Sequence, residues 1–312
     1  MILRYDDLST HPTVFKSMTG LRVAEFDALV RDLWPRDQAA EQRRLSRPTR
    51  QRAIGAGHPC ELTARDQLLL TVVWLRVYPT DEVLGYLFAV SDTTVGRTST
   101  RLPPLLEAAG LDSMRLPDPG RKHRRHLADL LADTADLVIL IDTFAQRVPR
   151  PRDRSAADKR YRGKKQQHTR KSQVATAAIT GQVVEVPDSV PGPTADSTLV
   201  EQSGVLARLP DGVGAAGDLG YVGLDKLPAQ GVMPRRTPRG QARPPADLDY
   251  NRAFARRRVG GAHTLGRMRR YQALTQTDRH HRQHHPARVR AVAGLVNRQL
   301  ARLVPYRERL AS

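Results

Sequence analysis

Leu137-Val138-Ile139-Leu140-Ile141-Asp142 is an apolar run, mostly β-branched or Leu, that ends on a carboxylate. It reads as a buried strand with an acid at its tip. Val213-Gly214-Ala215-Ala216-Gly217 leads in the same way into Asp218, a weaker strand delivering a second aspartate. Between them, Val174 to Ile179 and Gln182 to Val186, split by Thr180-Gly181, read as a hairpin. Helix-like sequence follows, so residues 136–312 read as a mixed α/β unit. Two strands that bring aspartates to one sheet edge can hold Mg²⁺ or Mn²⁺ through hard oxygen ligands. Two such ions, roughly 3.5–4 Å apart, clamp the attacking and leaving oxygens in phosphoryl transfer. Aspartates also cap turns after strands, so these two residues alone fit either a metal site or a pair of turn caps.

Toward the N-terminus, residues 59–115 carry the strongest helical periodicity. Thr63 stands where a cap belongs, with Asp66 three residues on, and the apolar run from Leu68 to Val77 stops before Pro79. Thr80 opens a second short helix with Asp81 and Glu82 in its first turn. After Ala89-Val90, Ser91 caps a third helix that runs to Arg101 and is limited by Pro103-Pro104, with another helical stretch from Leu105. Helix, tight turn and hydroxyl-rich helix is the pattern of a helix-turn-helix. Ser91, Thr93 and Thr94 are short enough to approach a groove. Arg97 and Arg101, one turn apart, would share the face that reaches phosphates or guanine edges. The same spacing fits a plain three-helix bundle. Residues 1–58 hold a helix from Arg22 to Leu33 and a basic segment from Arg43 to Arg52, and residues 116–135 form a polar linker with a basic knot, Arg121 to His126.

The chain of 312 residues has 51 Lys and Arg against 32 Asp and Glu, a net charge of +19. A surplus of that size points to a polyanion, nucleic acid before a membrane surface. No run approaches the ~20 apolar residues of a membrane span. The 39% hydrophobic content can build a core, which excludes wholesale disorder. The single cysteine, Cys60, excludes an internal disulfide, and with His58 it lacks the paired spacing of a zinc site. The N-terminus, Met1 to Asp7, turns charged at once, unlike a secretory signal, so a cytoplasmic, nucleoid-associated location is expected. Basic runs stand at Arg121 to His126, at Lys164-Lys165 with Arg170-Lys171, at Arg235-Arg236 and at Arg267 to Arg270. Any one run reads as a solvated face, but together they bracket the two aspartates as a DNA channel would. His280-His281 and His284-His285, among Arg279, Arg282 and Arg288, read as a surface against a nucleic-acid backbone rather than a metal site.

Taken in order, these segments resemble the DDE transposases of bacterial insertion sequences, a family related to the Harbinger transposases. Ile141-Asp142-Thr143 and Asp218-Leu219-Gly220-Tyr221-Val222-Gly223-Leu224 resemble the family's first and second acidic motifs. Gly163 to Gln173 resembles its GKKxxHTxKxQ segment. Pro191 to Asp196 resembles its pGsxHD segment, with Ala195 where His is usual, and Gly294-Leu295-Val296-Asn297 resembles its closing helix. Leu62 to Leu70 and Val90 to Arg97 resemble the helix-turn-helix that precedes the catalytic part. The resemblance covers roughly residues 60–300 and implies an RNase H-like core behind a small all-helical helix-turn-helix domain. It implies that Asp142 and Asp218 are catalytic and carry two Mg²⁺ or Mn²⁺ ions. It implies DNA contacts from Ser91, Thr93, Thr94, Arg97, Arg101, Lys164, Lys165, His168, Lys171, Arg267 and Arg270. The partners it implies are double-stranded DNA, as element terminal repeats and target, and further copies of the chain on that DNA.

The family's third acid lies in a VVEH segment, where this chain has Gly260-Gly261-Ala262-His263. Asp247 and Asp249, in a Pro-containing loop, could replace it only if that loop folds back. Two adjacent glycines also weaken a helix, by about 1 kcal/mol each relative to Ala. The expectation is therefore a DNA transposase, cleaving and joining strands, that binds DNA and cleaves feebly because Ala262 is not an acid. The alternative is a sequence-specific DNA-binding protein without enzymatic activity, a decayed or repurposed transposase; an RNase H-like nuclease with an unrelated substrate stands third.

Overall fold

The computed structural model describes residues 2–46, 48–49, 51, 61–117, 138–163, 166–210, 213–218, 221, 231–235, 237, 240 and 242–304. His58, Cys60, the basic knot at 121–126 and Lys164-Lys165 lie outside them. No helix among the described residues is long and apolar enough to cross a membrane.

The N-terminal half is helical: α1 Tyr5–Ser9, α2 Pro12–Thr19, α3 Val23–Leu45, α4 Ala64–Val77, α5 Asp81–Phe88 and α6 Asp92–Leu111. The expected caps form. Thr63 accepts from the Asp66 N–H at 3.1 Å and Ser91 from the Thr94 N–H at 3.2 Å, each filling an orphan donor of a first turn. The turn between α5 and α6 is tight because Ala89 takes a left-handed conformation, φ 49°, and Gly85 carries no Cβ. A Cβ there would stand 2.7 Å from the Val90 carbonyl oxygen. Helices α5 and α6 thus form the helix-turn-helix.

Two helices outrun their expected ends. Helix α3 continues to Leu45 through Pro35 rather than stopping at Leu33, and α6 continues to Leu111 through Pro103 and Pro104. Interior prolines cost about 3 kcal/mol through a lost hydrogen bond and a ring clash. In α6 this is offset by burial of Leu102, Pro103, Leu106 and Ala109.

The sheet consists of β1 Val138–Arg147, β2 Tyr161–Arg162, β3 Gln167–Ala177, β4 Val183–Glu185, β5 Val190–Pro191, β6 Gly214–Ala216 and β7 Gly231–Val232. Its order is β2-β3-β1-β6-β7, with β4 and β5 also paired to β3. Strand β1 is antiparallel to β3 and parallel to β6, and β6 is parallel to β7. This is the mixed sheet of the RNase H-like expectation. The hairpin read at 174–186 is there, but its first strand begins at Gln167.

Helices flank the sheet: α7 Arg154–Asp158, α8 Asp196–Ser203, α9 Pro245–Met268 and α10 His285–Ala301. Strand alternation sorts β1 between the two faces. Ile139 and Ile141 pack with Val200 of α8 and Tyr221, whereas Val138 and Leu140 pack with Phe254 of α9. A third and larger core joins Phe15, Trp74 and Val95 of the N-terminal helices to Tyr271, Val292 and Val296 near the C-terminus, and to Phe144 and Val174 of the sheet. The helical unit read as residues 59–115 therefore has no core of its own. Helices α6 and α10 touch backbone to backbone, and a Cβ on Gly110 would lie 3.0 Å from the Gly294 Cα.

Candidate active site

Val138, Ile139 and Leu140 of β1 face Gly214, Ala215 and Ala216 of β6. Asp142 lies two residues beyond Leu140, on the face covered by α9, and Asp218, two residues beyond the end of β6, is near enough for its charge to act on Asp142. Asp142 is not a strand tip, since β1 runs on to Arg147 against β3. The parallel neighbour leaves instead: beyond Ala216 the chain turns off at Gly217, where a Cβ would sit 2.7 Å from the Tyr221 ring. The gap so opened leaves the Asp142 side chain 29% exposed.

Asp142 Oδ1 accepts the Thr143 N–H at 2.8 Å, and Oδ2 lies 3.8 Å from an Arg258 guanidinium nitrogen. Burial pushes its pKa above the usual carboxylate range, the charges of Asp218 and Asp196 push the same way, and the Thr143 N–H and Arg258 oppose them. Arg258 had no role in the sequence reading. Its signal was its place one helical turn before Ala262, which puts both on one side of α9.

Ala262 is exposed. The glycines before it do more than loosen the helix, because they seat it. A Cβ on Gly261 would lie 3.0 Å from Thr176 Oγ1 and 3.1 Å from Leu140, and one on Gly260 would lie 3.0 Å from the Ala178 carbonyl oxygen. Asp247 and Asp249 do not fold back toward the site. They belong to the start of α9, opened by Pro245, and pair with Arg235 at 2.9 Å and Arg252 at 3.3 Å.

On the α8 face, Thr143 Oγ1 donates to Asp196 Oδ1 at 3.0 Å, and Lys171 Nζ donates to the same oxygen at 2.9 Å and also to the Thr194 carbonyl. Lys171 is buried, so it is held inside the protein rather than offered to DNA. The Tyr221 hydroxyl on this face is also buried, and burial together with Asp196, Asp142 and Asp218 pushes its pKa up, opposed by the Thr143 side chain. The sequence marked Lys171 and Asp196 through their motifs but not their pairing.

Residues 141–297, which carry both aspartates and α9, match the family described as DDE superfamily endonuclease. The chain belongs to that family. Residues 60–111 match the helix-turn-helix of DDE superfamily endonucleases. Over 287 residues the chain is 24% identical to a probable transposase for insertion sequence element IS702 of Microchaete diplosiphon, covering 92% of this chain and 94% of that protein. No solved structure matches.

Endonucleases of this superfamily use divalent metal ions. Asp142 and Asp218 offer hard oxygens, and the like-charge repulsion on Asp142 is the kind that a cation relieves. Among the described residues, however, no third His, Cys, Asp or Glu joins them in a group placed to hold a metal. The residues fit one ion held by two carboxylates and lack a third protein ligand for the second.

The helix-turn-helix of this DDE endonuclease places the residues marked for DNA differently. In α6, Ser91 is the cap, Thr94 is half-buried over it, and Thr93 and Arg97 are exposed. Arg101 differs from expectation: it turns inward to Asp37 of α3 and Gln67 of α4, because α3 extends far enough to meet it. His168 is half-buried, with Nδ1 3.2 Å from the Ala157 carbonyl oxygen. Arg267 has partners of its own, and Arg270 is exposed. The His-rich segment is not one surface. His285 is buried between Gln146 and Ser189, with its pKa driven well down. His280 packs edge-on against Trp74, and burial lowers its pKa to about 4. Arg288 is buried against Asp278 at 2.6 Å.

Proposed function

We propose that this chain is a transposase that binds the terminal repeats of a mobile element through α6 and cleaves and joins DNA strands at Asp142 and Asp218. It does so slowly, because Ala262 supplies no third carboxylate. The observation that supports this reading is the nearness of two carboxylates, Asp142 on β1 and Asp218 just past its parallel neighbour β6, at the point where the sheet opens and under a helix that carries an arginine. A divalent ion, when bound, would supply activation of water and polarisation of the scissile phosphate. Asp142 and Asp218 would hold it through their carboxylates, the Thr143 N–H fixes the orientation of Asp142, and Arg258 favours its charged form. The strand's 3′-hydroxyl, once freed, attacks the target. The strongly basic chain acts as a homo-oligomer on DNA, in the nucleoid-associated cytoplasm.

The second reading, a DNA-binding protein without catalysis, is favoured by Arg258 lying against Asp142 and by the lack, among the described residues, of a third acid grouped with Asp142 and Asp218 to hold a metal. One experiment separates the two: Mn²⁺-dependent nicking of a duplex selected from random sequence by binding to the full chain. Slow nicking that is lost in Asp218→Asn supports the transposase, and binding with no nicking at any Mn²⁺ concentration supports the second reading. In the same assay Arg97→Ala is expected to lower the slope of log K against log salt by about one unit, the value of one phosphate contact. Arg101→Ala is expected to act on stability instead.

A further inference from the structure

A polar pocket of about 530 Å³ opens where the far end of β1 and the start of β3 meet the turn at residues 275–279. Arg147, Gln167, Gln276, Thr277 and Arg279 line it, and no lining residue is acidic. The carboxylate within that turn, Asp278, is buried on the other side against Arg288 at 2.6 Å. Neither Arg147, which is exposed, nor Gln167, Gln276 or Thr277 has a side-chain hydrogen-bond partner among the described residues. The pocket thus presents unspent N–H and O–H donors and positive charge, a combination suited to an anion.

Arg279 is held in place. One guanidinium nitrogen donates to the carbonyls of Tyr78 at 2.6 Å and Pro79 at 2.9 Å, and the group lies 4.2 Å over the Tyr78 ring. The carboxylates of Asp81 and Glu82 act on it from the side of α5, so Arg147 carries the pocket's less compensated charge. Tyr78 and Pro79 lead directly into Thr80, the cap of α5, so one wall of the pocket is tied to the helix-turn-helix. The other wall is β1, where Ala145 and Arg147 line the pocket; Arg147 lies five residues beyond Asp142, about 16 Å away at 3.3 Å per residue and, by alternation, on the opposite face of the strand.

We propose that this pocket seats a backbone phosphate of the same DNA duplex that α6 reads, beside the helix-turn-helix, with Arg147 as its principal contact. The inference rests on the DNA-binding reading. Its position favours DNA over a free anion, because one wall is tied through Tyr78 and Pro79 to the helix-turn-helix that a duplex would occupy.

The test uses the full chain, Arg147→Gln, and Arg150→Gln as a control that removes the same charge from an exposed arginine outside the pocket. Affinity for the selected duplex and for a random-sequence duplex is measured from 50 to 200 mM salt. Arg147→Gln is expected to weaken both to the same extent and to narrow the change in affinity across that range by about threefold, as one lost phosphate contact does. Arg150→Gln is expected to match wild type. Equal behaviour of the two variants would overturn the proposal while leaving DNA binding intact, whereas wild type failing to bind any duplex would overturn both. Inorganic phosphate, added alone, tests the other source. If it raises the melting temperature of wild type but not of Arg147→Gln, while DNA binding is unchanged by the substitution, the pocket serves a small anion and the proposal fails.

Discussion

On the α8 face of the sheet, Asp196 has a buried lysine at 2.9 Å and a threonine hydroxyl at 3.0 Å; on the α9 face, Asp142 has one backbone N–H and an arginine at 3.8 Å. The residues 142 and 143 that meet these partners are adjacent in one strand. The face that pairs its carboxylate with a buried lysine has made it part of the scaffold. The other leaves Asp142 under-compensated, with its pKa raised, a deficit of the kind that clusters at functional sites. A strand alternating between two such environments lets one short motif, Asp142-Thr143, join a tightly paired network to a loosely compensated carboxylate.

The largest effect is expected on the α8 side. Lys171→Met strands Asp196 without its buried partner and should cost about 3 kcal/mol or more in denaturant unfolding. Lys171→Met with Asp196→Leu should recover most of that, since an apolar pair replaces an ion pair at little cost. A neutral single variant would erase the contrast between the faces. On the α9 side, Ala262→Glu should raise Mn²⁺-dependent nicking at least ~100-fold, the scale on which a key electrostatic group acts. Efficient cleavage by the unaltered chain would show that the site is complete without residue 262.

Gly261→Val should not assist Ala262→Glu. Its side chain would press on Leu140 and Thr176, and overpacking of this kind costs about 1–3 kcal/mol in thermal or denaturant unfolding. A stabilised Gly261→Val would mean that α9 is not seated on the sheet as described. The smallest effect concerns Asp142→Asn. Because burial raises the folded pKa, Asp142 favours folding only while protonated. That contribution is full below the ordinary value of about 3.9 and is lost as pH rises through the raised one. The Asn variant should therefore gain in melting temperature relative to wild type across that window and stay the more stable at pH 7. A less stable Asn variant at pH 7 would show that Arg258 outweighs burial.

Much of this was legible in the sequence. The apolar run before Asp142, the caps at Thr63 and Ser91 and the ordered motifs predict a helix-turn-helix before a mixed sheet with two converging aspartates. What escaped depends on contacts between distant segments. Nothing local says that Arg101 will find Asp37, or that Lys171 will turn from DNA to Asp196. Pro103-Pro104 read as a helix end because local propensity ignores what burial of the same segment returns. Gly260-Gly261 read as damage to a helix because the surface it rests on, at Leu140 and Ala178, lies far away in the chain. The segment from Arg279 to Arg288 read as one basic surface, whereas folding divides it residue by residue into exposed and buried halves.

The meeting of Gly110 and Gly294 fixes one further property. Recognition helix and closing helix lie in backbone contact, at positions where any side chain would wedge them apart. The N-terminal helical half and the C-terminal helix are thereby held at one fixed spacing, with no slack for a side chain at either position. If α6 grips a sequence as proposed, its place against the C-terminal helix is set by the packing of two glycines.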